Sequence, residues 1–233
     1  MKPLERVIVA LDGLDKNQVF KFVEKSENQF DCYKIGLELF LRYGRSFVLE
    51  FFEFSKKEIF LDLKLHDIPK TVSRAIHSLE GLPLKFLSVH LTGGEAMLRE
   101  AIKSRNIDLP QTLLLGVSYL TSMDENDFKD LWHKDSNRLF KQVFQLAEKT
   151  GIDGIVCSPN DLVNAPKKSL KVTPGIRFQE EIQGNRTQDQ KRLTDPLNAL
   201  KNGSDYLVIG RSLTQANDLK EKLQILKNDS LDF

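Results

Sequence analysis

Short aliphatic and β-branched runs recur along the chain, separated by stretches in which apolar residues return every three or four positions. The runs lie at residues 6–12 (RVIVALD), 32–37 (CYKIGL), 59–65 (IFLDLKL), 86–91 (FLSVHL), 112–120 (TLLLGVSYL), 154–158 (GIVCS), 170–176 (LKVTPGI) and 206–212 (YLVIGRS). Their length and branching predict β-strands. Between them, Val19, Phe20 and Val23, then Phe40, Phe47, Phe51 and Phe54, then Leu139, Val143, Leu146 and Ala147 mark single faces of amphipathic helices. Strands that alternate with helices pair in parallel, because each crossover returns the chain to the same end of the sheet. Eight such units predict an α/β fold, a (β/α)8 TIM barrel forming one domain over residues 1–233, with a doubly wound open sheet as the alternative. No GxGxxG follows the first run and no GxxxxGK[ST] occurs, which argues against dinucleotide and P-loop nucleotide binding.

In such a barrel the chemistry sits at the C-terminal ends of the strands, and polar residues collect there. Asp12 closes the first run, Lys34 lies in the second, Asp62 and Lys64 in the third, and His90 near the end of the fourth; Thr121 and Ser122 follow the fifth and Ser158 ends the sixth. Side chains alternate along a strand, so Leu61, Leu63 and Leu65 face the helices while Asp62 and Lys64 face the barrel mouth. Ionisable groups in apolar strands are costly to bury alone, so these are expected to pair with one another. Asp67 lies just beyond, before Pro69, whose fixed φ suits the first turn of a helix. A surface ion-pair stripe is the bland reading of DLKLHD; the unbroken leucine face opposite argues for a site.

The runs ending in TPGIR and IGRS each bring a glycine for close backbone approach and an arginine for bidentate contact, a pairing suited to phosphate. Arg211 is expected at a helix N-terminus. Between Pro174 and a helix expected near Thr194, the polar segment GIRFQEEIQGNRTQDQKRL is long for a compact domain and is read as a lid.

Composition narrows the partners. Thirty-four basic against thirty-three acidic residues leave a formal charge of +1, which favours no polyanion, so nucleic acid is not expected as a partner. Cys32 and Cys157 have no metal-ligand spacing and read as free thiols of a reducing cytosol. The apolar run before Asp12 is too short for a secretory signal, and no run is long enough to span a bilayer. A cytoplasmic protein without membrane contact is expected.

Taken together, VALD, YKIGLEL, FLDLKLHDIPKTV, VHLTGG, LTSM, TPGIR, DQKR and YLVIGRSLTQA resemble, in order and across nearly the whole chain, the orotidine 5′-phosphate decarboxylase family. The resemblance implies conversion of orotidine 5′-monophosphate to UMP and carbon dioxide in pyrimidine biosynthesis, with no metal and no cofactor. It implies that Lys64 protonates C6 of the pyrimidine, that Asp62 lies against the substrate carboxylate, and that Lys34 and Asp67 complete the charge array. It further implies a homodimer with shared sites, Asp67, Ile68 and Thr71 crossing to the other subunit. Asp12 matches a ribose contact, and Thr121 or Ser122 a contact to the ring. Pro174 and Arg177 of TPGIR, with Gln190, Gly210 and Arg211, match the remaining substrate side, largely phosphate. The interval from Arg177 to Gln190 is longer than is common in the family and offers Gln183 as a rival; the DQKR context favours Gln190.

Lesser signals read as structural: His90 as a hydrogen-bonded packing residue, His66 as structural beyond the strand end, His77 and His133 as helical without partner spacing, and Glu38 as pairing with Lys34 or Arg42. Two other functions compete. One is a magnesium-dependent sugar-phosphate decarboxylase or aldolase sharing Asp-x-Lys-x-x-Asp, disfavoured because Lys34 would repel a metal. The other is a barrel that binds pyrimidine nucleotides without turnover, disfavoured because carboxylates near an anionic ligand add nothing to simple binding.

Overall fold

The structure is a computed structural model that describes residues 3–26, 29–183 and 193–229. Eight parallel strands close into a barrel in sequence order, β1 pairing with β8. They are β1 (Val7–Ala10), β2 (Cys32–Gly36), β3 (Glu58–Leu65), β4 (Leu84–His90), β5 (Leu113–Val117), β6 (Gly154–Val156), β7 (Leu170–Thr173) and β8 (Tyr206–Ile209). The helices are α1 (Lys16–Lys25), α2 (Leu37–Ser55), α3 (Pro69–His77), α4 (Gly94–Asp108), α5 (Glu125–Trp132), α6 (Ser136–Thr150), α7 (Gln179–Gln183), α8 (Pro196–Lys201), α9 (Arg211–Thr214) and α10 (Leu219–Asp229). Among the described residues no helix is long and apolar enough to cross a membrane.

The closed barrel replaces the open-sheet alternative, and every expected strand is present. Several end earlier than the apolar pattern suggests. The fifth stops at Val117, the seventh at Thr173 and the eighth at Ile209, because the residues beyond turn inward to build the mouth instead of continuing the ladder. Helix starts follow local chemistry. Asp15 caps α1 with Gln18 in a reciprocal box, Asp124 does the same for α5 with Asp127, and Pro69 opens α3. Helix α2 is interrupted at Gly44, whose φ of 68° departs from helical geometry.

Strand alternation divides the apolar residues into two layers. Val7, Val9, Tyr33, Ile35, Ile59, Leu61 and Leu63 pack outward against the helices. Ile8, Ala10, Cys32, Phe60, Phe86, Leu115, Val172 and Tyr206 fill the barrel. Full burial of a side chain such as Leu61 contributes about 1.5–3 kcal/mol, so a one-residue slip of β3 would lose several such terms and push Asp62 and Lys64 into the helix layer. The interior is a plug: Phe60 meets Phe86 at 5.9 Å and Phe86 meets Tyr206 at 5.4 Å, both edge to face. Two residues up β3, β4 and β8 the inward position becomes polar or small, with Asp62 above Phe60, Ser88 above Phe86 and Gly210 above Val208. That change of chemistry along one strand face separates the packed floor from the open mouth.

Candidate active site

The mouth holds a cavity of about 540 Å³ lined by Asp12, Lys34, Asp62, Lys64, Thr121, Ser122, Pro174, Arg177, Gly210 and Arg211. These residues lie far apart in sequence and meet because every strand delivers its C-terminal end to the same face. Apolar walls come from Val117, Tyr119, Val156 and Val208.

One end of the cavity carries a chain of alternating charge. Lys34 Nζ donates to Asp12 Oδ2 at 2.5 Å and lies 3.4 Å from Asp62 Oδ2, and Lys64 Nζ donates to the same Asp62 oxygen at 2.6 Å. Lys34 and Asp62 are buried, at 7% and 6% exposure, while the Lys64 side chain remains 32% exposed toward the cavity. Burial alone would discharge Lys34, but the Asp62 and Asp12 carboxylates outweigh it and hold its pKa above the ordinary lysine value. Burial likewise acts to raise Asp62; the ammoniums of Lys34 and Lys64, with hydrogen bonds from Lys64 and Ser88, outweigh that and keep it below the usual carboxylate range. Lys34 and Asp62 are therefore both held in their charged forms, and the accessible Lys64 side chain lines the cavity beside them.

Register explains the spacing. Lys34 is level with Phe60 and Gly36 with Asp62, so Lys34 reaches up from one layer below. Gly36 leaves room for the pair: a Cβ there would collide with Asp12 Oδ1 and come within 3.2 Å of Lys34 Nζ, so a larger residue would have to move the Asp12 carboxylate. Neither Gly36 nor Ser88 was expected from the sequence. Ser88 is fully buried and donates to Asp62 Oδ1 at 2.7 Å. Its signal was present, as a lone hydroxyl on the inward face of FLSVHL.

The loops after β7 and β8 bring Arg177 and Arg211 to the same cavity. Arg211 opens α9, as expected, with Gly210 in the N-cap position. Arg177 is fixed by its backbone, whose N–H donates to Thr194 O at 3.0 Å across a short parallel bridge between Ile176 and Thr194. Of the segment read as a lid, residues 179–183 form the short helix α7, next to buried Phe178, and residues 184–192 lie outside the described residues. Gln190 and the side chain of Gln183 lie outside the described residues.

Asp67, Ile68 and Thr71 do not line this cavity. Asp67 and Ile68 sit on the exposed turn between β3 and α3, where Asp67 Oδ1 accepts from the Ile68 N–H at 2.7 Å and Ile68 is 66% exposed, and Thr71 is exposed in the first turn of α3.

The histidines fall largely as read. His90 lies 5.2 Å from the His66 ring, and burial, followed by the charges of His66 and Lys64, lowers its pKa to about 4, so it is neutral at neutral pH. Two readings need correction. His77 has a partner, Asp108 Oδ1 at 2.9 Å, supplied by α4, which lies too distant in sequence to be seen as spacing. Glu38 accepts from Gly13 N at 3.1 Å, because Asp12 and Asp62 already occupy Lys34. Cys32 and Cys157 are buried free thiols, each with its pKa pushed up chiefly by burial.

Residues 5–225 match the model of the orotidine 5′-phosphate decarboxylase / HUMPS family. An orotidine 5′-phosphate decarboxylase of Dictyoglomus turgidum is 38% identical, covering 100% of this chain and 98% of its own. One from Vibrio campbellii is 40% identical, covering 97% of each. The crystal structure of orotidine 5′-phosphate decarboxylase from Lactobacillus acidophilus superposes with a TM-score of 0.80 at 29% identity, over 97% of this chain and 98% of that one.

Proposed function

Because the chain belongs to the orotidine 5′-phosphate decarboxylase / HUMPS family, we propose that it decarboxylates orotidine 5′-monophosphate to UMP and carbon dioxide, without a metal, with Lys64 as proton donor. The observation that carries this reading is a single cavity lined by both the Lys34–Asp62–Lys64 array and the two arginines Arg177 and Arg211. A phosphate held between the arginines would leave the pyrimidine directed at Lys64.

Loss of carbon dioxide breaks the C6–carboxylate bond and leaves its electron pair on C6, in an orbital the ring cannot delocalise. A fixed ammonium about 4 Å from that carbon is worth roughly 4 kcal/mol at an effective dielectric near 20, about a thousandfold in rate. Lys64 then transfers a proton to C6 and regains one from solvent. Proton delivery of this kind supplies a further factor of about 10²–10⁴. Asp62 holds Lys64 in place and sets a negative charge beside the departing carboxylate. Asp12 would contact the ribose, Thr121 or Ser122 the ring beside Pro174, and Gln190, Gly210, Arg177 and Arg211 the phosphate.

Asp67, Ile68 and Thr71 would serve the second site of a homodimer. Their exposed position outside the cavity, on the turn before α3 and its first turn, with the isoleucine Ile68 bare, supports that reading. A small nucleotide substrate fits a cytoplasmic enzyme. The family also includes magnesium-dependent chemistry. A divalent cation beside Asp12 and Asp62 would have to displace the buried Lys34 ammonium that already pairs with both.

The test is the loss of orotidine 5′-monophosphate absorbance in EDTA, with wild type against Lys64→Ala. Metal-independent turnover that the variant loses is expected. Tight UMP binding without turnover would favour a binding barrel, and turnover that needs magnesium would favour the other branch of the family.

A further inference from the structure

Strands β3 and β4 do not run in simple register. Leu61 pairs with Leu87, but the next pair is Leu65 with Val89, so four steps along β3 match two along β4. The surplus is a bulge containing Asp62, Leu63 and Lys64, and Lys64 takes a left-handed backbone with φ of 51°. A lysine in that region is strained and persists only where its surroundings enforce it. Ser88 stands opposite. Its Oγ accepts from the Lys64 backbone N–H at 2.9 Å and donates to Asp62 Oδ1 at 2.7 Å. One hydroxyl thus satisfies an amide that the bulge removes from the ladder and orients the carboxylate that holds the Lys64 ammonium at 2.6 Å.

We propose that Ser88 is a positioning residue that latches the β3 bulge, fixing the Lys64 backbone and the Asp62 carboxylate together so that the ammonium is aimed before substrate arrives. The kinetic consequence rests on the decarboxylase reading; the latch itself rests on the backbone geometry. Ser88 touches no reacting atom in this account, and its effect passes wholly through Asp62 and Lys64.

The experiment is Ser88→Ala, read by crystallography and by steady-state kinetics. The crystal structure is expected to show Lys64 leaving the left-handed region or its ion pair with Asp62 opening. Loss of hydrogen bonding to a charged group is expected to lower kcat roughly ten- to a hundredfold. KM and the calorimetric affinity for UMP should stay within about threefold, since Arg177 and Arg211 are untouched. An unchanged Lys64 backbone with the ion pair intact would overturn the latch, as would a loss of UMP affinity equal to the loss of kcat. Ser88→Cys, which keeps the volume but weakens both hydrogen bonds, carries the same expectations if the alanine variant does not fold. Should the wild type show no decarboxylation, the functional reading fails, and the crystallographic comparison still decides the latch.

Discussion

Replacing Lys34 with methionine keeps the volume of the side chain while deleting the charge at the centre of the array. Lys34 Nζ and Asp62 Oδ2 are 3.4 Å apart. At an effective dielectric near 20 that separation corresponds to roughly 5 kcal/mol of attraction, before the cost of desolvating both groups. Breaking a buried pair by removing one partner costs about 3–5 kcal/mol, because the remaining charge stays buried. The lower end applies, since Lys64 still neutralises Asp62 at 2.6 Å and the Asp12 side chain, 46% exposed, is served by water. A loss of about 3 kcal/mol in a chain of this size lowers Tm by roughly 6–12 °C.

The pH dependence separates charge from packing. In the wild type Asp62 lies below the usual carboxylate range, so its stabilising contribution is present above the unfolded-state pKa near 4 and is lost as pH falls through the folded value. In Lys34→Met, burial of Asp62 is opposed by one ammonium fewer, its folded pKa moves up, and protonation relieves the variant. Urea unfolding of both proteins should therefore show a gap that is widest near pH 7 and narrows toward pH 4. A gap that stays constant over that range would refute the electrostatic account and assign the loss to packing.

Arg211→Ala should raise KM for orotidine 5′-monophosphate roughly ten- to a hundredfold, while turnover of orotidine itself, which has no phosphate, should match the wild type. Gly36→Ala should keep the wild-type circular dichroism but lower kcat/KM by about 10²-fold, because the added methyl displaces Asp12 and Lys34 from each other. Mixed, separately inactive Lys64→Ala and Asp67→Ala chains should regain activity as subunits exchange, and no recovery under confirmed exchange would rule out shared sites.

The order of elements and the sidedness of β3 were set by local chemistry. Alternation of Leu61, Leu63 and Leu65 against Asp62 and Lys64 leaves one arrangement in which neither leucines face water nor ions face the helix layer, and that constraint can be read from the string alone. The same holds for Pro69 as a helix start and for the two arginine-bearing turns. The eight mouth-facing ends could be ranked for chemistry because barrel topology sends them all to one face.

What the string did not disclose depends on which strand lies beside which, and at what height. Glu38 was misassigned because, once closure brings Asp12 and Asp62 against Lys34, the nearer sequence neighbour has no role there. Gly36 became informative only when its register with Asp62 showed how little room remains beside Asp12. Ser88 and the left-handed Lys64 belong to a mismatch between two strands, a property that neither strand has alone. Propensity and periodicity are local free energies, and they decided the elements and their faces. Register, bulge and ion pairing are set by closing the barrel, which exists only once all the strands have met, and they decided where the Lys64 ammonium points.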